Sequence, residues 1–265
     1  MAAMSPSPIP ARLQALRAAM AREGVAAVVV PTADPHLSEY LPPRWQGRQW
    51  YSGFTGSSGT LVVTATGGGL WTDSRYFAQA ENELAGSGLP LMKLNVAHTP
   101  EHVGWLAGQL AEGDTVAVAG DSLSMAGAES LASRLATAGA RLRTDLDLAG
   151  TAWTDRPARP DSPVFAHAAP FAAVERADKL RHVRHAMRRA GATHHLLSSL
   201  DDIAWLTNLR GADVDYNPVF LAHLLVGEST ATLFIDAAKV PADVKAALAA
   251  DGIALADYGT AASAI

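Results

Sequence analysis

The sequence predicts a mixed α/β protein built from two related three-layer domains, mixed sheets flanked by helices, with the second domain incomplete at its carboxyl end. Three observations carry that reading. Short apolar, β-branched runs such as residues 25–30 and 60–64 alternate with stretches whose apolar residues recur at helical spacing, the pattern of helices layered on a sheet. A proline-rich, aperiodic stretch at 153–163 interrupts this pattern. The residues after the break repeat those before it. Offset by 167 positions, Leu13, Leu16, Met20 and Gly24 meet Leu180, Val183, Met187 and Gly191, while Arg17, Ala19, Arg22 and Asp34 meet Arg184, Ala186, Arg189 and Asp201.

Each element has a local chemical cause. Pro10 near the start and Gly24 just past the end bracket a helix to Glu23, and a strand succeeds it at 25–31. Asp34 and Pro35 predict a second helix start, with Asp34 as N-cap of a short turn through Tyr40. Beyond Pro42 and Pro43, residues 48–59 read as a glycine-rich loop. It feeds a buried strand at 60–64, which turns through Thr66-Gly67-Gly68 into a hairpin partner at 69–72. A helix from Ser74 to near Leu84, a strand at 89–94, a helix opened by Thr99-Pro100-Glu101, a strand at 116–119, a helix at 123–138 and a strand at 141–143 complete the first copy. The second copy continues to correspond through Asp236 and Leu255, at slightly shorter offsets, then reaches Ile265 where the counterpart of the helix at Thr99 should begin. It is therefore expected to lack roughly forty residues of its own fold. The expected division is a first domain over 1–152, a linker over 153–172 and a second domain over 173–265.

Composition narrows the function classes. The chain has 265 residues, 49% of them hydrophobic and 18% charged, and a formal net charge of −5 without a basic block, so neither nucleic acid nor an anionic membrane is indicated as a partner. Its longest apolar run is far short of the roughly 20 residues that span a bilayer. Cysteine is absent, which removes disulfides and thiolate chemistry and is compatible with a reducing, cytoplasmic setting. The first 23 residues contain arginine and almost no acid, as transit peptides do, yet Leu13, Leu16 and Met20 share one helical face and lead straight into a strand.

Gly53-Phe54-Thr55-Gly56-Ser57-Ser58-Gly59 is the most distinctive segment. A phosphate cradle needs such a loop to open onto a helix N-terminus, whereas this one opens onto TLVVT, and its serines fall one residue short of G-x-S-x-G. A turn serving the hairpin is the simpler expectation, with a phosphate-binding enzyme as its rival. Trp45, Trp50, Tyr51 and Phe54 gather around it as core or as an interface rim. Asp73 and Arg75 stand at a strand end, either as N-cap and local partner or as a recognition pair at the edge where open α/β sheets bind ligands. His194 and His195 are adjacent in a strand, point to opposite faces and cannot chelate together. Asp201 and Asp202 read as N-cap and first-turn acid, and Asp213 and Asp215 as solvated loop acids with a divalent ion as the alternative. No metal site is expected in this chain.

Taken together, YSGFTGSSG (51–59), LWTDSRYF (70–77), PLMK (90–93), WTDRP (153–157), LDDIAWLTNLRG (200–211) and YNPVF (216–220) resemble the cytosolic-type Xaa-Pro aminopeptidases, the three-domain form of the creatinase/prolidase superfamily. The resemblance implies two related N-terminal domains ahead of a C-terminal metallopeptidase domain, which holds two metal ions, usually manganese, on two Asp, one His and two Glu. This chain ends before that domain, so the resemblance implies no metal ligand, no catalytic residue and no peptidase activity in the chain alone. It also implies a substrate peptide with proline at its second position, a cytoplasmic homodimer, and a first domain that restricts the active site to peptide N-termini. Phe54, Asp73, Arg75 and Asn217 lie in the matching motifs as substrate-gating or domain-interface candidates. Ser58 and Ser74 depart from the usual alanine and glycine. The competing expectation is a stand-alone binding or regulatory module.

Overall fold

Residues 7–97 and 99–264 are described by the structure, a computed structural model; the first six residues, His98 and Ile265 lie outside them. The chain divides into two compact units, Met1–Ala158 and Arg159–Ile265.

In the first unit, β1 (Ala27–Pro31), β2 (Thr60–Thr64), β3 (Gly68–Thr72), β4 (Leu91–Lys93), β5 (Thr115–Ala117) and β6 (Arg141–Arg143) form one sheet in the order β4-β3-β2-β1-β5-β6. β2 runs antiparallel to both its neighbours and every other pair is parallel. Helix α1 (Ile9–Glu23) ends on Gly24, whose φ of 63° is left-handed and open to glycine at no steric cost. Together with α2 (Gly47–Ser52), α3 (Phe77–Glu83) and α6 (Leu148–Ala152) it covers one sheet face, where Leu13, Leu16 and Met20 meet Val28, Leu61 and Val63. The opposite face, carrying Val29, Val62 and Trp71, is covered by α4 (Glu101–Ala107) and α5 (Met125–Ala136) through Val103, Leu106, Leu131 and Leu135. Alternate residues of β1 thus enter two different cores, as the two-residue period of a strand requires.

The second unit contains β7 (Phe165–Ala166), α7 (Arg176–Arg189), β8 (His194–Leu197), α8 (Leu200–Thr207), β9 (Leu209–Arg210), β10 (His223–Gly227), β11 (Ala231–Phe234), α9 (Ala242–Ala250) and β12 (Ile253–Ala256). Its main sheet has the order β12-β11-β10-β8, with the same parallel, antiparallel and antiparallel pairings as β4-β3-β2-β1. The duplication extends to side chains. Arg17 donates to the carbonyls of Thr64 and Gly67 at 3.0 and 2.9 Å, and Arg184 donates to those of Gly227 and Thr230 at 3.1 and 3.0 Å. Arg12 lies 4.3 Å over the Trp50 ring and Lys179 lies 4.3 Å over that of Trp205. Gly53 and Asn208 end the helices carrying those tryptophans, both in the left-handed region.

Several local expectations are corrected. Asp34 caps no helix: its buried Oδ1 accepts from the backbone N–H of His36 and of Ser38, both at 2.9 Å, which closes a turn that does not propagate. Arg48 to Ser52 belong to α2 and not to the loop. Ser199, rather than Asp201, caps α8, and both aspartates fall in its first turn. Within the stretch read as linker, Trp153 is buried and stacked on Trp50 with centroids 5.2 Å apart, while β7 pairs with β9.

Candidate functional site

The glycine loop is held from inside by one arginine. Arg48, only 5% exposed, donates Nε to Thr32 Oγ1 at 2.8 Å, Nη1 to the Phe54 carbonyl at 3.0 Å and Nη2 to the Gly56 carbonyl at 2.5 Å. Thr32 donates its own hydroxyl to the Gly59 carbonyl at 2.7 Å, and Thr72 does the same to that of Ser58 at 2.7 Å. From the other side the Glu83 carboxylate accepts from the Thr55 N–H at 2.8 Å and its hydroxyl at 2.6 Å. The loop therefore turns its carbonyl oxygens toward a cation. A phosphate cradle presents N–H groups instead, so this geometry does not support the phosphate reading.

Steric detail explains the glycines. A Cβ on Gly56 would sit 2.2 Å from Phe54 Cζ and 2.8 Å from Tyr76 Cδ1, and one on Gly59 would sit 2.9 Å from the Trp71 carbonyl oxygen. Phe54 itself is fully buried, its ring 4.9 Å from the Arg48 guanidinium carbon and edge-on to Tyr76 at 5.8 Å. Tyr51 and Trp45 are also core, whereas Trp50 is half-buried. Burial lowers the Arg48 guanidinium to about 10, against a smaller opposing pull from Glu83, so it stays cationic at neutral pH.

Beside this loop opens a cleft of about 630 Å³ at the carboxyl ends of β1, β3 and β4. Ser57, Ser58 and Gly59 line it, with Trp71, Pro100 and His102 on another side and Arg75 and Glu39 among its charged groups. Asp73, 3% exposed, caps the 3-10 turn at Ser74–Tyr76 and grips Arg75 in a two-pronged ion pair, Nε and Nη2 each 2.8 Å from a carboxylate oxygen. That bond raises the Arg75 guanidinium further above its ordinary value. The Arg75 side chain remains 58% exposed, oriented by Asp73 and lining the cleft. His102 packs edge-on to Trp71 at 6.1 Å, and burial lowers its imidazole to about 4, leaving it neutral. An acid, a fixed cation, hydroxyls and aromatic surface together suit a zwitterionic or peptide-like ligand better than a purely apolar one.

Sequence reasoning placed Phe54 in the glycine loop and Asp73 and Arg75 at a strand end, and the structure brings these three together in the first unit. Asn217 lies in the second unit, half-buried in the turn after the exposed Tyr216, its carbonyl accepting from the Val219 N–H at 2.8 Å. The solvated-acid reading of Asp213 is overturned. Asp213 is 4% exposed, ion-paired to the buried Lys239, and accepts from the Leu221 N–H at 2.7 Å; Asp215 alone is exposed. Sequence reasoning missed Arg48 and Lys239. Arg48 had one usable signal, a lone cation among Trp45, Trp50 and Tyr51 that burial would force to find acceptors. Among the described residues no three His, Asp or Glu side chains converge as a metal site, so the residues present do not fit a two-metal centre.

Residues 12–147 match the Creatinase/Prolidase N-terminal domain, and residues 155–265 match a second family of the same description. The chain is 38% identical over 250 residues to a probable Xaa-Pro aminopeptidase P of Neurospora crassa, covering 93% of this chain and 36% of the relative. To the probable Xaa-Pro aminopeptidase P of Ajellomyces capsulatus it is 37% identical over 259 residues, covering 97% and 42%. The crystal structure of X-prolyl aminopeptidase from Caenorhabditis elegans, described as a cytosolic enzyme with a di-nuclear active site, superposes with a TM-score of 0.89 at 28% identity, over 96% of this chain and 43% of that one. The chain thus spans about two fifths of the length of the relatives it matches. Two matched domains, a repeated sheet and near-complete coverage at this identity lead to one conclusion: the chain belongs to the creatinase/prolidase N-terminal domain family.

Proposed function

We propose that this chain acts as the non-catalytic N-terminal region of a metal-dependent Xaa-Pro aminopeptidase, gating access of peptides whose second residue is proline and aiding assembly, with no peptidase activity alone. The observation that carries the reading is the match itself, which runs over 93–97% of this chain and stays within 36–42% of the aminopeptidase P relatives. The first unit's cleft supports it chemically. Arg75 offers an oriented cation to a peptide carbonyl or carboxylate, Asp73 holds it, Glu39 offers a negative charge to an α-amino group, and Phe54 keeps the loop in shape from beneath. Asn217 belongs to the reading as an interface candidate in the second unit. The two manganese ions and their ligands are assigned to a separate catalytic domain, and the setting to the cytoplasm.

The test has two parts. The purified chain with an Xaa-Pro peptide and Mn²⁺ is expected to show no turnover; turnover that a chelator abolishes would overturn the non-catalytic reading. A chimera joining this chain to the unmatched remainder of the Neurospora relative is expected to hydrolyse the peptide. In it, Arg75→Ala should raise KM or admit substrates other than free N-termini. If Arg75→Ala leaves KM, kcat and length selectivity unchanged, the gating role fails.

A further inference from the structure

Helices α1 and α7 hold the same place in the two units, so each is a control for the other. Their inner sides match: Arg17 and Arg184 both tie a hairpin, and Arg12 and Lys179 both lie over a tryptophan. Their outer sides do not. The exposed positions of α1 are held by Gln14, Ala15, Ala18, Ala21 and Arg22, and the same positions of α7, exposed as well, by Arg181, His182, His185, Arg188 and Arg189. The fold therefore accepts a nearly uncharged outer face. A single arginine in the last turn complements the helix dipole of α1, whereas α7 carries three guanidiniums and two imidazoles, Arg181 and His182 well before its last turn. At ~100° per residue the five side chains fall within an arc of about 120°, and Arg181 and Arg188 stand about 10 Å apart along the axis. Arg181 pairs with Asp178 one turn back, both exposed, while Arg188 and Arg189 have no acidic partner among the described residues.

We propose that this outer face of α7 is a docking surface for an acidic helical segment of a partner protein. Carboxylates recurring every three or four residues on that segment meet Arg181, Arg188 and Arg189, and the rings of His182 and His185 add polar contacts. Guanidinium forks match carboxylates in two-pronged pairs, as Arg75 and Asp73 do in the first unit. Leu180 and Met187, the buried apolar residues of α7, point into the fold and no apolar side chain shares the outer arc, so the face is not built to insert into a membrane. Three fixed cations fall short of the roughly six to ten phosphate contacts of a nucleic-acid binder. The formal net charge of −5 also repels a long polyanion, whereas a short acidic segment brings few charges. Among the described helices none carries two acids three or four residues apart within its span, so a second copy does not supply the occupant. The surface belongs to the second unit and does not depend on the gating role of the first.

The test titrates the full chain into a fluorescently labelled alanine-based peptide of about 20 residues, long enough to be helical, with glutamates along one stripe. Saturable binding is expected by anisotropy at low salt, weakening as salt rises. The triple variant Arg181→Gln/Arg188→Gln/Arg189→Gln should bind about tenfold more weakly or worse, and Arg22→Gln, at the matching place on α1, should bind as the unaltered chain does. Hydrogen exchange of the unaltered chain should slow on peptide addition at 180–190 and not at 13–23, a readout that does not need the variant. Absence of saturable binding, equal binding by the triple variant or by a peptide with glutamine for glutamate, or unaltered exchange at 180–190 overturns the proposal. So does tighter binding of a single-stranded oligonucleotide of equal charge or of phosphatidylserine vesicles, which would assign the face to nucleic acid or to a membrane instead.

Discussion

Replacing Arg48 by methionine tests the reading of the glycine loop most directly. Methionine keeps most of the volume and removes every donor, leaving the carbonyl oxygens of Phe54 and Gly56 buried without their partner. Each orphaned acceptor costs about 1–3 kcal/mol, so the pair sets a range of about 2–6. Relief of the guanidinium's desolvation offsets part of this, and about 3 kcal/mol net is expected, a large share of the 5–15 kcal/mol typical of a domain. Because two units unfold, a single global transition is the wrong readout. Hydrogen exchange of residues 53–64 in the full chain is the better assay, and acceleration of about a hundredfold corresponds to that loss. Arg48→Lys should fall between, since an ammonium cannot reach both carbonyls and Thr32 in one plane. Acceleration below about fivefold in Arg48→Met, equivalent to about 1 kcal/mol, would refute the argument that this cation holds the loop.

Two further outcomes are expected. Lys239→Met strands the buried Asp213 carboxylate and should destabilise the second unit by about 3–5 kcal/mol, with most of the loss recovered in Asp213→Asn/Lys239→Met; denaturant melts monitored by exchange in 219–235 check it. His102 is held at about 4 by burial, against an ordinary 6.5. A folded-state value below the unfolded one means the unfolded chain binds the proton first. Its contribution is therefore intact above pH 6.5 and lost as pH falls toward 4, by about 2.5 kcal/mol at pH 4.5. His102→Gln should flatten that part of the stability curve, and equal pH profiles for the two proteins would contradict it.

How far the sequence reached is clearest where it half succeeded. Asp73 and Arg75 were open to a local reading and a functional one, and the structure satisfies the local one in full without hiding the cation: the cap and ion pair orient Arg75 in the cleft. Asp34 and Ser199 show the limit of cap signals. Both present an oxygen to free N–H groups, but a helix forms only after Ser199, where an apolar face can be buried. Asp213 misled because polarity at a loop position predicts solvent unless a partner arrives from elsewhere, and its partner lies 26 residues on, beyond two strands.

By itself the sequence determined the alternation of strands and helices, the stop of the first helix at Gly24, the duplication and the family resemblance. These rest on periodicity, turn chemistry and motif order, which are written within a few residues of one another. Only the tertiary structure decided that the glycine loop faces its carbonyls to Arg48, that Phe54 supports the loop from the core, and that Lys239 neutralises Asp213. Each depends on which distant groups meet after collapse, and burial then forces polar groups to find partners that local sequence does not name.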